Sequence, residues 1–302
     1  MKKHSSMALV VFAVCMVSYS GPMVKGALNE GASPISVALL RMLAAALLML
    51  PYEARQCVRR RIPMKLTPAQ WGLTALAAAF LAAHYITWIT SLTGTSTFAS
   101  VALVCTQPLF VAFFSYVLFR ERPPRRALPG ALLALLGAVT IALSGLSGQE
   151  AQATGQEALR SNLLALAGAV LMAAHWLAGR QIRQTLAAEV YTPVLYLITA
   201  ALLALCLPLS GGFRMPLSAL PYMAGLVIGS TLLGHAVFAY ALSGVSANVI
   251  SFALLGEPVG AMIFSMIFFG EVPPWPVALG GMLALVGLAL YLAFAGGEKQ
   301  PA

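Results

Sequence analysis

The chain contains one stretch twice, at an offset of 150 residues and without a gap. Between Pro108 and Gly137, twelve residues meet identical residues between Pro258 and Gly287. Upstream, the same offset pairs Leu92, Gly94 and Ser96 with Leu242, Gly244 and Ser246. An internal repeat constrains the architecture more than any single motif, because both copies are expected to fold alike and to pack together.

The composition indicates that the repeated unit lies in a membrane. Sixty per cent of the 302 residues are hydrophobic and nine per cent are charged, whereas soluble domains contain about 25% charged residues. Ten apolar segments are separated by polar, proline or glycine breaks, and each is near the ~20 residues that span a bilayer as a helix. The predicted segments are 6–24, 34–51, 70–91, 97–119, 128–146, 162–180, 191–209, 220–242, 248–269 and 275–295.

Each repeat therefore holds five helices, an odd number, so the second repeat should enter the membrane from the opposite side. We predict an all-α integral membrane protein with ten transmembrane helices in two inverted five-helix repeats and both termini in the cytoplasm. Residues 1–146 form the first repeat and 147–161 an external linker of low structural content. Residues 162–302 form the second repeat with a short cytoplasmic tail.

The basic residues support this orientation. With the N-terminus inside, fourteen Lys and Arg residues fall on the cytoplasmic side and three on the outer side, as the positive-inside rule requires. The inner residues are Lys2, Lys3, Arg55, Arg59, Arg60, Arg61, Lys65, Arg120, Arg122, Arg125, Arg126, Arg180, Arg183 and Lys299; the outer ones are Lys25, Arg160 and Arg214. The net charge of +9 thus belongs to loops beside the lipid bilayer. No basic patch interleaved with aromatic residues predicts a nucleic-acid partner.

The fourth and ninth segments carry a proline near their middle, Pro108 and Pro258, preceded by Gln107 and Glu257. Proline removes a backbone hydrogen bond, and helices broken at matching places in two halves indicate a transport site. An acidic residue such as Glu257 within a membrane span suggests substrate or proton binding. Structural pairing of Glu257 is the alternative.

Other polar residues lie within predicted spans. Arg41, a possible charge partner of Glu257, either anchors an anionic group or forms a structural lock to helix-end carbonyls or a glutamate. His84 and Trp88 share one helix face and either line a cavity or pack between helices. The eighth segment adds His235 and Tyr240. With Gln107, these residues form the candidate substrate site.

The charged residues near helix ends and the repeated glycines are predicted to have structural roles. Lys25 is expected to extend its side chain to water, and Glu121 and Glu271 are expected to pair at the membrane interface. Four glycines spaced by seven in the fifth and tenth segments predict close helix packing. They are Gly130, Gly137, Gly280 and Gly287.

The sequence contains few elements of catalytic machinery. The four cysteines show no disulfide or metal spacing, and the chain contains no aspartate. No phosphate-binding G-x-x-x-x-G-K-[ST] sequence is present. We therefore predict no enzyme activity, no metal site and no cofactor.

Several motifs carry a resemblance to a known family. In both copies a proline is followed thirteen residues later by a glutamate, a Pro-rich turn and G-x-x-L-A-L-x-G. The motif positions are Pro108, Glu121, Gly130 and Gly137, and Pro258, Glu271, Gly280 and Gly287. With Arg41 after Pro34 in the second segment, this pattern resembles the EamA branch of the drug/metabolite transporter superfamily. The resemblance implies a central cavity lined by both halves and the transport of amino acids, other small metabolites or drugs.

The sequence thus predicts a secondary transporter in the cytoplasmic (inner) membrane. Its first candidate cargo is a small polar metabolite such as an amino acid, exported by alternating access. Efflux of drugs or lipophilic cations is a second hypothesis, because Glu257 could balance a cation among aromatic rings. An intramembrane enzyme or a membrane scaffold is the alternative from a different class. Proton coupling and the oligomeric state stay open.

Overall fold

The computed structural model describes residues 3–121, 124–144, 155–234 and 255–295. In these ranges the chain forms helices joined by short connections. The α-helices are α1 Lys3–Ser18, α2 Ser20–Asn29, α3 Pro34–Arg60, α4 Pro68–Ser91, α5 Thr97–Val104, α6 Gln107–Phe119, α7 Leu128–Ser144, α8 Gly155–Ile182, α9 Ala188–Leu205, α10 Leu220–Ala224, α11 Glu257–Phe269 and α12 Trp275–Ala295. A π-helical segment, Gly225–Gly234, continues α10.

Eight stretches of the described chain are long and apolar enough to cross a membrane, when α2 is joined to the end of α1 and α5 to α6. Two shorter apolar helical stretches, Leu217–Leu233 and Glu257–Phe269, flank residues 235–254, which lie outside the description. The chain is thus a multi-pass membrane protein, and the count of ten helices stays a prediction.

Local capping signals set several helix starts. Ser33 precedes α3, and its side-chain oxygen accepts a hydrogen bond from the Ser36 N–H. Thr67 and Gln70 form a reciprocal capping box at the start of α4. The predicted end of the second segment at 51 is wrong, because α3 continues through Pro51 to Arg60. The proline removes one backbone hydrogen bond from the helix without ending it.

The duplication is visible in the backbone. Helices α6 and α11 begin and end at positions that differ by the repeat offset, with a proline in the first turn of each. Each helix ends at a left-handed residue, Arg120 with φ 59° and Gly270 with φ 64°. Arg120 and Gly270 occupy the same position in the two repeats, and both end their helix in the left-handed conformation.

The repeated glycines form one interface between α7 and α12. A β-carbon at Gly130 would lie 2.7 Å from the Gly287 carbonyl oxygen, and one at Gly280 would lie 2.9 Å from the Gly137 carbonyl oxygen. The lower-numbered glycine of α7 thus meets the higher-numbered glycine of α12, so the two helices run antiparallel. The spacing of the glycines predicts this close approach, which only glycine allows because it has no β-carbon.

The connections differ from the predictions in two places. The first predicted helix, 6–24, is two helices that meet at Tyr19. The predicted external linker 147–161 is partly helical, because α8 already begins at Gly155. Residues 145–154 lie outside the described structure.

The expectation for Lys25 is wrong. Its side chain is buried, and its ammonium donates to the carbonyl oxygens of Leu92 at 2.6 Å and Thr95 at 3.3 Å. The fold places the C-terminal end of α4 beside α2. The ammonium therefore binds one carbonyl at the C-terminal cap of α4 and one in the connection between α4 and α5.

Candidate functional site

Arg41 of α3 has the densest polar surroundings of the candidate residues. Its guanidinium is 4% exposed, and Nε donates to Thr231 Oγ1 at 3.2 Å in the π-helical segment. Nη1 donates to Ser20 Oγ at 3.1 Å, at the start of α2. Arg41 therefore joins three separate elements through neutral hydroxyl groups. No carboxylate lies within 4.0 Å of it in the described part of the chain.

Aromatic rings of α4 cover one side of this guanidinium. Arg41 Cζ lies 5.2 Å from the Tyr85 ring centroid and 5.9 Å from that of Trp88. Both distances are in the range of cation–π attraction. The rings are largely buried, so the face of α4 predicted from His84 and Trp88 points into the protein.

His84 is held between helices. Its Nδ1 lies 2.9 Å from the Gly168 carbonyl oxygen of α8 and therefore donates to it. Its ring stacks on Trp88 at a centroid distance of 5.8 Å. In the same way, His175 Nδ1 donates to the Ala77 carbonyl oxygen at 2.9 Å. Both histidines thus join α4 to α8. Because Nδ1 of His84 already donates to Gly168, only its Nε2 is available to a further partner.

The helical segment that contains Pro108 is interrupted just before that residue. Helix α5 ends at Val104, a turn at Cys105 and Thr106 follows, and α6 starts at Gln107 with Pro108 in its first turn. The hydroxyl of Thr106 donates to the Leu103 carbonyl oxygen at 2.6 Å, which holds the turn. In the second repeat α11 starts at Glu257 with Pro258 next.

Glu257 forms no ion pair with Arg41 in the described structure. No donor within hydrogen-bond distance of its carboxyl group is found among the described residues. The first turn of α11 packs on the junction of α1 and α2, where a β-carbon at Gly260 would lie 2.6 Å from Ser18 Cβ. Ser20, two residues later, accepts from Arg41. This junction thus contacts both α11 and Arg41.

Several buried polar atoms in this part of the chain lack a hydrogen-bond partner within the described structure. They include Trp88 Nε1, Gln107 Oε1, Ser18 Oγ and Ser230 Oγ. A buried polar group without a partner costs about 1–3 kcal/mol. Three of them lie close to Arg41 or α11, because Trp88 contacts Arg41, Ser230 precedes Thr231, and Ser18 contacts Gly260. Such groups indicate a place where water or a ligand completes the hydrogen bonding.

The structure brings together only part of the predicted site. Arg41, His84 and Trp88 are linked by contacts, whereas no hydrogen bond, ion pair or ring contact joins Gln107 or Glu257 to them within the described structure. His235 and Tyr240 lie outside the described residues. Sequence reasoning did not assign Ser20, Tyr85 or Thr231 to the site. For Tyr85 a signal existed, because the repeat offset aligns it with His235.

The two repeated glutamates lie at opposite ends of the helix bundle. Glu121, after α6, accepts from Arg180 at 2.9 and 2.7 Å, and these hydrogen bonds lower the pKa of its carboxyl group. Glu271, after α11, accepts from the N–H of Thr97 at 2.6 Å and from its hydroxyl at 2.7 Å. Thr97 begins α5, so α6 and α11 run in opposite directions, as the inverted repeat predicts.

These features define a multi-pass helical membrane protein built from two antiparallel copies of one unit, with a buried arginine held by hydroxyl groups and aromatic rings. A sequence profile of the EamA-like transporter family matches residues 4–143 and 159–293, one match in each half. The chain therefore belongs to the EamA-like transporter family, the branch of the drug/metabolite transporter superfamily that the motifs indicate. It is a family of membrane transporters for small molecules.

Comparison with solved structures gives the same fold. One, titled only as the crystal structure of a protein, has a TM-score of 0.63 and 19% sequence identity. The match covers 98% of this chain and 100% of the other. A search of curated proteins finds no match.

Proposed function

We propose that this protein exports small polar metabolites, with amino acids as the first candidates, across the cytoplasmic membrane by alternating access. The observation that carries the proposal is the matched pair of helix starts, Gln107-Pro108 and Glu257-Pro258, in a protein that also buries Arg41 within its helices. Helix breaks of this kind in two inverted halves mark the binding sites of secondary transporters. A buried charge is expensive within a bilayer, which favours a functional reason for retaining Glu257.

Each candidate residue has a proposed role. Glu257 and Gln107 hold the polar groups of the substrate, while Trp88 and Tyr240 pack against its apolar part. His84 or His235 adds a hydrogen bond or a proton; for His84 this falls to Nε2, because Nδ1 binds Gly168. Arg41 supplies a positive charge beside Glu257.

Alternating access requires contacts between the repeats that open at one end of the bundle at a time. At one end, exposed ion pairs join Arg60 to Glu189 and Arg180 to Glu121. At the other end, Glu271 accepts from Thr97. Exposed ion pairs contribute little stability, so we expect the end with the ion pairs to open at the lower cost.

Counterflow in proteoliposomes tests the proposal. The purified protein is reconstituted with an unlabelled amino acid inside, and uptake of the same labelled amino acid is followed. We expect uptake above protein-free vesicles and a loss of about tenfold or more in Glu257→Gln, since hydrogen bonds to a charged group contribute about 1.5–3 kcal/mol. The control is Glu30→Gln, which removes an exposed carboxylate.

Unlabelled solutes that compete with the labelled amino acid for uptake identify the class of substrate. Inhibition by tetraphenylphosphonium together with indifference to amino acids would replace the proposal with cation efflux. Counterflow by no solute among amino acids, nucleosides, organic acids and quaternary ammonium compounds would support a scaffold. If folded Glu257→Gln takes up the amino acid at the wild-type rate, Glu257 is not part of the binding site.

A further inference from the structure

We propose that the C-terminal end of α3 binds the headgroups of anionic phospholipids. The surface that binds them, called the basic face from here on, consists of the exposed side chains of Tyr52, Arg55, Val58, Arg59 and Arg61. The inference goes beyond the proposed function, because it concerns a lipid partner and not the transported solute.

The first step of the argument is the length of α3. The helix contains 27 residues, Pro34–Arg60, and at 1.5 Å per residue it is about 40 Å long. The hydrocarbon core of a bilayer is about 30 Å thick, and an average tilt of about 20° shortens the span of the helix only slightly. The last two turns of α3 therefore extend from the hydrocarbon core into the layer of phospholipid headgroups.

The second step is that one side of these turns packs on the protein. Cys57 is 3% exposed, and Arg60 Nη1 donates to Glu189 Oε1 of α9 at 2.8 Å. Residues three or four apart lie on the same side of a helix, so Glu53 shares this side and is partly buried. Glu53 is the sole acidic residue of the sequence between positions 51 and 65. The opposite side of the last two turns thus carries no acidic residue.

The third step is the chemistry of that opposite side. Arg55 and Arg59 are four residues apart and exposed, and Arg61 follows where the helix ends with φ 54°. Between these cations, Tyr52 is 62% exposed and Val58 is 74% exposed. Guanidinium groups bind phosphate oxygens with two parallel hydrogen bonds, while the apolar side chains fit the boundary between headgroups and acyl chains. Such a combination of basic and apolar side chains is typical of surfaces that bind anionic membranes.

The position of the basic face selects the partner. An acidic protein would also complement its charge, but α3 leaves the bilayer at this point, so lipid headgroups lie beside the arginines. Phosphatidylglycerol carries a net negative charge, whereas phosphatidylcholine carries the same phosphate with a compensating cation. The basic face should therefore distinguish these two lipids.

Native mass spectrometry of the purified full chain in a neutral detergent tests the inference. Binding of phosphatidylglycerol is compared with that of phosphatidylcholine with the same acyl chains, over a series of lipid concentrations. We expect the wild-type protein to bind phosphatidylglycerol at least about tenfold more tightly, because each arginine near an anionic lipid adds to the attraction.

Two double variants with the same change in charge show where the lipid binds. Arg55→Gln/Arg59→Gln removes two cations from the basic face and should lower the preference for phosphatidylglycerol about tenfold. The control, Arg125→Gln/Arg126→Gln, removes two exposed arginines from the 3₁₀ turn after α6, at the same end of the bundle. It should keep the wild-type preference. All four side chains are exposed, so both variants should fold and melt like the wild-type protein.

Three outcomes would overturn the inference. Equal binding of the two lipids by the wild-type protein would show no selectivity for an anionic headgroup. An equal loss of preference in both double variants would show that the net charge of this end, and not the basic face, attracts the lipid. Displacement of phosphatidylglycerol by millimolar glycerol phosphate would assign the arginines to a soluble phosphate. Each of these outcomes leaves the counterflow test of the proposed function unaffected.

Discussion

Two buried cations of this protein differ in what satisfies them. The Lys25 ammonium donates to the carbonyl oxygens of Leu92, the C-cap of α4, and of Thr95 in the connection that follows. The Arg41 guanidinium has neutral hydroxyls and aromatic faces as its nearest partners. Lys25 thus binds backbone carbonyls, whereas Arg41 binds side-chain hydroxyls and ring faces.

Lys25→Met should therefore destabilise the protein. Methionine keeps an apolar stem of similar length but leaves the Leu92 and Thr95 carbonyls without this donor. We expect a loss of about 1–3 kcal/mol, measured as a lower Tm in detergent. The control is Lys65→Met, which replaces an exposed lysine and should leave Tm nearly unchanged. Equal melting of both variants would contradict the role of Lys25.

The repeated glutamates provide a second comparison at single residues. Glu271 caps the first turn of α5 through the Thr97 N–H and hydroxyl, whereas Glu121 forms an exposed pair with Arg180. We expect Glu271→Gln to cost about 1–2 kcal/mol, in the range of a lost helix cap. Glu121→Gln should stay within about 0.5 kcal/mol, because exposed ion pairs contribute little. A larger fall in Tm for Glu121→Gln would reverse this order.

At the scale of elements, the interface of α7 and α12 depends on backbone contact. In Gly137→Ala the new methyl group would meet the backbone of Gly280 and Ala284, which cannot move as a flexible side chain can. We expect a loss of about 1–3 kcal/mol and a lower Tm.

Gly72→Ala is the matched control for this interface. Gly72 also lies in a helix, α4, and no atom lies within 4 Å of the position that its β-carbon would take. Alanine there should raise the stability by up to about 1 kcal/mol, because it favours the helix. A similar loss in both variants would show that glycine is not needed for close packing of α7 and α12.

The sequence predicted those elements whose signals are local or repeated. Pro108 and Pro258 mark two helix starts, and glycine spacing predicts the α7–α12 interface, because each depends on residues close in the chain or on the repeat. The break at Tyr19 also has a local signal, the Gly21-Pro22 pair that follows it, which the predicted first segment did not use. The π-helical segment around Thr231 carries no such signal. One of its contacts, from Arg41 to Thr231, joins residues 190 positions apart in the chain.

The candidate site was predicted less completely than the fold for the same reason. Arg41, Trp88 and Glu257 were found because polar residues in apolar segments are rare. Ser20 and Thr231 are small hydroxyl residues, common in membrane helices, so nothing in their own segments distinguishes them. The burial of Lys25 depends on which helix end packs beside it, and one segment alone does not contain that information.

At the scale of the whole molecule, the antiparallel repeats make the two ends of the bundle similar, so charge must orient the protein in the membrane. Glu121 and Glu271 lie at opposite ends, but an inverted pair of repeats would fit a bilayer either way up. The count of fourteen basic residues against three breaks this symmetry. It predicts that the end carrying Arg60 and Arg180 faces the cytoplasm.

Single-cysteine labelling tests this orientation. In a chain with Cys15, Cys57, Cys105 and Cys206 replaced, a cysteine is placed at one of two exposed positions, Arg214→Cys or Lys65→Cys. A maleimide that does not cross membranes should label Arg214→Cys in intact cells and Lys65→Cys only after permeabilisation. The reverse pattern would place both termini outside.

Partial labelling of both in intact cells would mean that the charge difference leaves two orientations populated. The proposed export would then lack a fixed direction, because each inserted orientation would present the opposite end of the same site to the cytoplasm.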